Sequence, residues 1–324
     1  MLLNLLEYHW AEHIDDALML LSRPDIKTVP LAGGTYLLGL HDDSIQAVVD
    51  LRDLELAYIS QDARGMHIGA MTTLQSMADS PVLKDFVHGL LARAAQTSSF
   101  SRLIRNSATL GGTLGAGVAS QADILTALTV LDAEVILRSG SKTQVNLAGG
   151  TLDRPGLTLS GVTYKGKQER RVSSNSLAIE RRPNELIIEV LIPHPGRGSA
   201  ASFMRVGRTA SDIALLNAAA FVQITNGAYQ HVRVALGGVN MEPLRLHLVE
   251  RLLAGQIVAS PATWTQSIVL VLQTGMADFR PPADFRASSE YRRMSGMNLV
   301  YRVLEEATNL ARRSSRTSSP EGDI

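Results

Sequence analysis

Cysteine is absent from the 324 residues. That excludes disulfides, cysteine nucleophiles, thiolate-held iron–sulfur clusters and a thioether link to a cofactor within this chain. It is compatible with a reducing compartment, so a cytoplasmic location is the expectation. An excess of charge of one sign is also absent. Lys+Arg and Asp+Glu each number 31, giving a formal net charge of zero. Nothing here resembles the basic footprint of a nucleic-acid binder. Near-zero charge lowers self-repulsion, which suits a chain that works inside a complex. No apolar run reaches the ~20 residues of a membrane helix. The N-terminus lacks a basic stretch followed by an apolar core, so no secretory signal is expected.

Several chemical signatures are missing too. The eight histidines are scattered, and no zinc site is expected. No Gly-x-Ser-x-Gly elbow is present. Neither a Gly-x-x-x-x-Gly-Lys-Ser/Thr loop nor a Gly-x-Gly-x-x-Gly fingerprint occurs, so any nucleotide site is not of the Rossmann kind.

What stands out instead is a pair of glycine-rich segments. The first is Ala32-Gly33-Gly34-Thr35-Tyr36-Leu37, and the second spans Arg105 to Leu114 with Thr109-Leu110-Gly111-Gly112-Thr113 at its centre. Glycine lets successive backbone N–H groups converge on one point. Such a nest binds an anion without a lysine, and an adjacent threonine hydroxyl adds a donor. Two nests facing each other would suit the two phosphates of a dinucleotide. Taken singly, each segment also reads as a tight turn.

The flanking residues carry a resemblance. They include Glu7-Tyr8-His9, the stretch from Pro30 to Leu38, Val49-Asp50-Leu51 and Ile68 to Leu74. Farther on come Arg105 to Thr113, Asn184-Glu185-Leu186-Ile187, Arg208 through Asp212-Ile213-Ala214, Ala235 to Val239 and Glu290 to Arg293. In this order the chain resembles the FAD-binding medium subunit of molybdenum hydroxylases, the family of xanthine dehydrogenase, carbon monoxide dehydrogenase and aldehyde oxidoreductases. The resemblance implies an α+β fold with two FAD-binding subdomains of the vanillyl-alcohol oxidase type and a C-terminal α+β domain. It implies an electron-transfer subunit that holds FAD non-covalently, takes electrons from a small [2Fe–2S] subunit and passes them to an external acceptor. Substrate would be oxidised on a large molybdenum-cofactor subunit, in a dimer of heterotrimers. No catalytic residue of this chain is implied. Two alternatives stay open: a scaffold that has lost FAD, and a self-contained flavin oxidase.

The resemblance assigns cofactor contacts to Ala32, Gly33, Gly34, Thr35, Tyr36 and Leu37, and to Thr109, Leu110, Gly111, Gly112 and Thr113. Thr113 stands where relatives have asparagine. Asp123 matches an aspartate on the ribityl chain, although it also reads as the cap of a helix over Ile124 to Leu131. Ile187 matches a strand position whose backbone approaches the flavin ring, or it is a plain core residue. Arg208 and Asp212 read as an ion pair or cap. A lysine that relatives carry near the flavin is Met204 here, with Arg205 beside it, and this predicts a poor response to NAD⁺.

At 324 residues, more than one domain is expected. The pattern divides into subdomains at 1–57 and 58–195, a C-terminal domain at 196–310 and a disordered tail at 311–324. Helices are predicted over 11–22, 74–78, 90–95, 124–131, 242–253, 264–274 and 288–310. Strands are predicted over 28–31, 47–49, 134–137, 186–192 and 230–239. Short strands at 162–164 and 177–179 interrupt an irregular stretch over 138–183.

Overall fold

The computed structural model describes residues 2–117, 122–144, 162–209, 212–240 and 242–316. Three sheets organise them. The first is parallel and comprises β1 (Glu7–Trp10), β2 (Thr28–Leu31) and β3 (Ala47–Asp50), with β3 in the middle. Helix α1 (Ile14–Leu21) joins β1 to β2 and buries Ala17, Leu18 and Leu20. The Asp16 carboxylate accepts from the His13 N–H at 3.1 Å, which closes the first turn.

The second sheet is antiparallel. Its strands are β4 (Ile59–Asp62), β5 (Gly65–Gly69), β6 (Glu134–Gln144), β7 (Val162–Ser173) and β8 (Glu185–Pro193), in the order β4-β5-β8-β6-β7. Between β5 and β6 lie α2 (Leu74–Asp79), α3 (Pro81–Asp85), α4 (Leu90–Thr97), α5 (Arg102–Ser107), α6 (Leu110–Ala116) and α7 (Ala122–Val130). A one-turn helix, α8 (Leu177–Glu180), leads from β7 towards β8.

The third sheet comprises β9 (Ser199–Val206), β10 (Leu216–Thr225), β11 (Ala228–Gly237) and β12 (Leu244–Arg245). It is followed by α9 (His247–Leu253), α10 (Pro261–Gly275) and α11 (Ser289–Arg316). Alternation along the strands splits its side chains between two cores. Ala201, Phe203, Ala219 and Phe221 join the core of the second sheet and its helices. Ala218, Ala220, Val222 and Val234 pack with Trp264, Val300 and Leu304.

Strand β8 joins the two halves of the N-terminal region. Its Leu186 and Ile188 pack with Leu18, Val49 and Leu51 of the first part. Its Ile187, Val190 and Ile192 face the helices of the second. The register explains how Ile188 and Val190, two residues apart, join opposite cores. Leu137 pairs with Ile187 and Ile136 with Glu189, so Ile188 is passed over as a bulge.

Several sequence expectations change. The expected strand over 162–164 is the start of the longer β7, which pairs antiparallel with β6. Leu177–Ile179 is helical, because the Ser176 carbonyl accepts from Ile179 and Glu180 N–H and closes a single turn. The segment from Glu242 opens as strand β12, with Leu246 N–H donating to Val234, and turns helical only at His247. Helix α11 runs through Arg316, since Ala307 and Ala311 continue its buried face. Residues 311–316 are therefore helix rather than tail, and 317–324 lie outside the described residues. Met19 to Leu21 end α1, and the described strands over 28–31, 47–50 and 185–193 lie where the pattern puts them.

Candidate functional site

A cleft of about 600 Å³ opens between the first sheet, α6 and the start of β8. That size lies within the ordinary range for small-molecule and cofactor sites. Its walls include residues 32–37, Ala70, Met71, Thr109, Gly111 to Thr113, Gly115, Arg181, Glu185 and Ile187.

The first glycine segment forms one wall because strand β2 ends at Leu31. There Leu31 gives its carbonyl to Leu51 N–H at 3.0 Å, and the chain then leaves the sheet. Gly34 turns it with φ of +68°, a conformation that suits glycine. A 3₁₀ turn over Leu37–Gly39 follows. Between these two ends, the N–H groups of Ala32, Gly33, Gly34, Thr35, Tyr36 and Leu37 donate to no acceptor among the described residues. Backbone donors left unpaired in a concave wall form an anion cradle.

The second segment differs from the expected mirror-image nest. It is a helix–cap–helix passage, with α5 ending at Ser107 and α6 starting at Leu110. Four of its five central amides, Leu110 to Thr113, are spent. Leu110 N–H donates to Thr72 at 2.9 Å and Gly111 N–H to Ala70 at 2.7 Å. Thr109, the N-cap, takes Gly112 N–H on its hydroxyl oxygen at 3.0 Å. The Thr113 N–H donates to the Thr109 carbonyl, and the Thr113 hydroxyl donates to the same carbonyl at 2.9 Å. The donor expected of Thr113 is thus turned into the helix. What this segment supplies is a close floor. The Thr109 hydroxyl still has its own proton to donate.

The two segments touch through missing side chains. A Cβ built on Gly33 would lie 1.6 Å from the Ser107 carbonyl oxygen. One on Gly111 would lie 2.7 Å from the Ala70 Cβ. One on Gly112 would meet only the Thr109 hydroxyl at 2.9 Å and the Ala32 Cβ at 3.7 Å. Gly33 and Gly111 therefore let backbones meet, while Gly112 leaves open space on the cleft side. Leu110 is fully buried beneath the floor and does not line the cleft.

These residues suit an extended, dianionic nucleotide. An unpaired amide run takes phosphate, a bare glycine floor admits close approach, and an apolar strand end at Leu186 and Ile187 accommodates a flat ring. The whole chain points the same way. Residues 4–195 match the family model described as FAD binding domain in molybdopterin dehydrogenase. The chain belongs to this family. Residues 201–307 match the CO dehydrogenase flavoprotein C-terminal domain. The chain is 27% identical over 310 residues to the xanthine dehydrogenase FAD-binding subunit of Escherichia coli O157:H7, covering 94% of this chain and 96% of that one. It is 28% identical over 303 residues to the glyceraldehyde dehydrogenase medium chain of Sulfolobus acidocaldarius, covering 92% and 97%. Among solved structures, carbon monoxide dehydrogenase from Hydrogenophaga pseudoflava shares the fold, with a TM-score of 0.76 at 23% identity, covering 94% of this chain and 98% of that one. As a member of the family, the protein is an FAD-binding oxidoreductase subunit of the molybdenum hydroxylase type.

Two residues expected near the flavin do not line this cleft. Asp123 is buried on α7 and does not line the cleft. Its carboxylate accepts from the Asn217 side-chain amide at 2.5 Å and lies 3.4 Å from Arg205. Burial pushes the Asp123 carboxyl up, against the pull of Arg205 and the hydrogen bonds from Asn217 and Thr97. Asp123 thus ties α7 to β9 and β10. The residues just before it, 118–121, are outside the described set. Met204 packs at the α11 side of the third sheet. Arg205 points the other way, donating to the Thr97 carbonyl at 2.9 Å and to the Asp212 carbonyl at 2.5 Å. Neither lines the cleft, so the argument from Met204 about NAD⁺ loses its geometric basis. Arg208 and Asp212 form an exposed ion pair at 3.0 Å.

His9 and His13 are four residues apart, a spacing that binds metal on one helix face. Here one is on β1 and the other caps α1, so no helix face holds both. Among the described residues, no group of three or more His, Asp or Glu side chains is arranged to hold a metal ion. No described helix is long and apolar enough to cross a membrane.

Ala70, Met71 and Arg181 went unassigned on sequence grounds, yet all three line the cleft. The Ala70 to Thr73 stretch carried a signal, since it lies between the two glycine segments. It anchors the second one, with Leu74 N–H also donating to Ala108 at 2.8 Å. Arg181 lay in a stretch without usable periodicity and gave none.

Proposed function

We propose that this chain binds one FAD non-covalently in the cleft and relays electrons within a molybdenum hydroxylase complex. The observation that carries this reading is the run of six unbonded amides from Ala32 to Leu37 along the cleft wall. In this reading those amides hold the pyrophosphate, with the Thr35 and Thr109 hydroxyls as further donors. Gly111, Gly112 and Thr113 form the floor beneath the ribityl chain, and the Ile187 backbone lies beside the flavin ring. Bound flavin supplies the ability to take electrons singly and release them in pairs, which links a [2Fe–2S] donor to a two-electron acceptor. The chain's own task is to bind, orient and electrostatically tune that group. The partners are a large molybdenum-cofactor subunit and a small [2Fe–2S] subunit, and the complex is cytoplasmic. The three sheets support a division into parts at 1–57, 58–195 and 196–310.

Retention of the amide run speaks against a scaffold that has lost its flavin. A self-contained oxidase needs a free base beside its substrate. Glu185 is the acidic residue on the cleft wall, and both its oxygens are occupied. Arg170 binds it in a fork at 2.7 and 2.9 Å, and Arg182 N–H donates at 2.8 Å. Purified protein should be yellow and contain one FAD per chain, and acid precipitation should release all of it. Flavin retained in the pellet overturns the non-covalent mode, and a colourless chain that rejects added FAD overturns the reading altogether.

A further inference from the structure

Three cations among the described residues line the cleft, and two are neutralised. Arg23 meets Glu7 at 2.6 Å, and Lys27 meets Asp42 at 3.1 Å. The third, Arg181, makes no side-chain hydrogen bond or ion pair among the described residues. Its nearest acidic group, Glu185, is already committed to Arg170 and the Arg182 amide. Arg181 is half-buried, and burial lowers its pKa against a weaker opposing pull from Glu185, so the site taxes its charge more than it compensates it. A partly desolvated guanidinium that faces a cavity without a counter-charge is built for an anion that arrives there.

Helix α6 shows where that anion would be. A Cβ built on Gly112 lies 3.7 Å from Ala32, under the amide run. A Cβ built on Gly115, about one turn along the same helix, lies 3.6 Å from an Arg181 terminal nitrogen and 3.9 Å from the Ile187 side chain. Arg181 therefore sits with Ile187, displaced from the phosphate wall. Of the two edges of a flavin ring, the dimethylbenzene edge is apolar and the pyrimidine edge gathers negative charge.

We propose that the Arg181 guanidinium faces the flavin's pyrimidine edge and holds the negative charge that develops there on reduction. The inference rests on the reading that FAD occupies this cleft. Two electrons, from the iron–sulfur partner or from dithionite in an assay, enter with one proton. The proton goes to N5, and the charge remains over N1 and the C2 carbonyl opposite the guanidinium.

The test uses the full-length chain loaded with FAD. Arg181→Gln should bind sulfite, whose addition at N5 places charge on the same edge, at least tenfold more weakly than wild type. Its preference for reduced over oxidised flavin should fall about tenfold, which is about 30 mV in a two-electron midpoint. Arg181→Lys should recover most of both. The wild type supplies a measurement independent of any variant. In the acid range where free reduced flavin is protonated at N1, its midpoint should fall by about 30 mV per pH unit, the slope for one proton per two electrons. A slope of about 59 mV there, one proton per electron, overturns the inference. So does an Arg181→Gln protein with unchanged sulfite affinity and midpoint, or one whose only defect is weaker FAD binding, because that places Arg181 on a phosphate. A wild-type chain that takes up no FAD defeats the underlying reading instead, and is told apart by its lack of colour.

Discussion

Replacing Gly33 with alanine should separate the two glycine segments and abolish tight FAD binding. A Cβ at Gly33 would lie 1.6 Å from the Ser107 carbonyl oxygen and 2.5 Å from its carbonyl carbon. Both are backbone atoms, so no side chain can swing aside. Restoring a 3.0 Å separation requires the segments to part by about 1.4 Å. Hydrogen bonds from the amide run span about 2.7–3.2 Å, so the same displacement takes them beyond useful range. Bonds to a charged group contribute about 1.5–3 kcal/mol each, and losing two costs about 3–6 kcal/mol. That is about a hundredfold to ten-thousandfold in FAD affinity. Stability should fall by only about 1–3 kcal/mol, the ordinary cost of overpacking, because the cores on either side are untouched. Gly112 provides the contrast. There a methyl meets only the Thr109 hydroxyl, which can turn aside at the cost of its own hydrogen bond, so Gly112→Ala should keep FAD affinity within about tenfold of wild type. Gly112→Asp should not, since a carboxylate about 4 Å from a phosphate costs about 4 kcal/mol in a medium of intermediate polarity. The assay is titration of deflavinated protein with FAD, followed by flavin fluorescence, alongside circular dichroism of each variant. Gly33→Ala protein that binds FAD within about threefold of wild type would refute the reasoning.

Two further outcomes follow from groups outside the cleft. Asp123→Asn keeps a partner for Asn217 but removes the charge facing Arg205; it should leave the FAD content unchanged while lowering stability by about 1–3 kcal/mol in chemical denaturation. Loss of flavin with intact fold would return Asp123 to the ribityl chain. His67 is buried, which lowers its pKa, but carboxylates of Glu189 at 2.8 Å and Asp62 at 2.9 Å outweigh this and raise it. A raised native value means that its stabilisation is complete below the ordinary histidine value of about 6.5 and is lost as pH climbs through the native value. Thermal stability should therefore decline as pH rises above about 6.5, and His67→Gln should flatten that decline; parallel curves for the two proteins would show that His67 does not cause it.

The sequence alone determined much of this protein, because much of it is written in local patterns. The short strand over Thr28–Leu31 running into Gly-Gly, the buried helix after Asp123 and the β8 run ending at Pro193 follow from periodicity and from where proline and glycine interrupt it. The order of the short motifs was enough to indicate the family. Local patterns could not show whether an amide is free. Both glycine segments read alike in sequence, yet Ala70 and Thr72, brought near by the second sheet, together with the Thr109 cap take the amides of Leu110 to Thr113 and leave those of the other segment open. Asp123 occupies a motif position, but its carboxylate is claimed by Asn217 and Arg205, more than 80 residues away in the chain. Arg181 carries no pattern at all. Its role depends on Glu185 being occupied by Arg170 and on α6 passing beneath it, and only the assembled tertiary structure sets who pairs with whom.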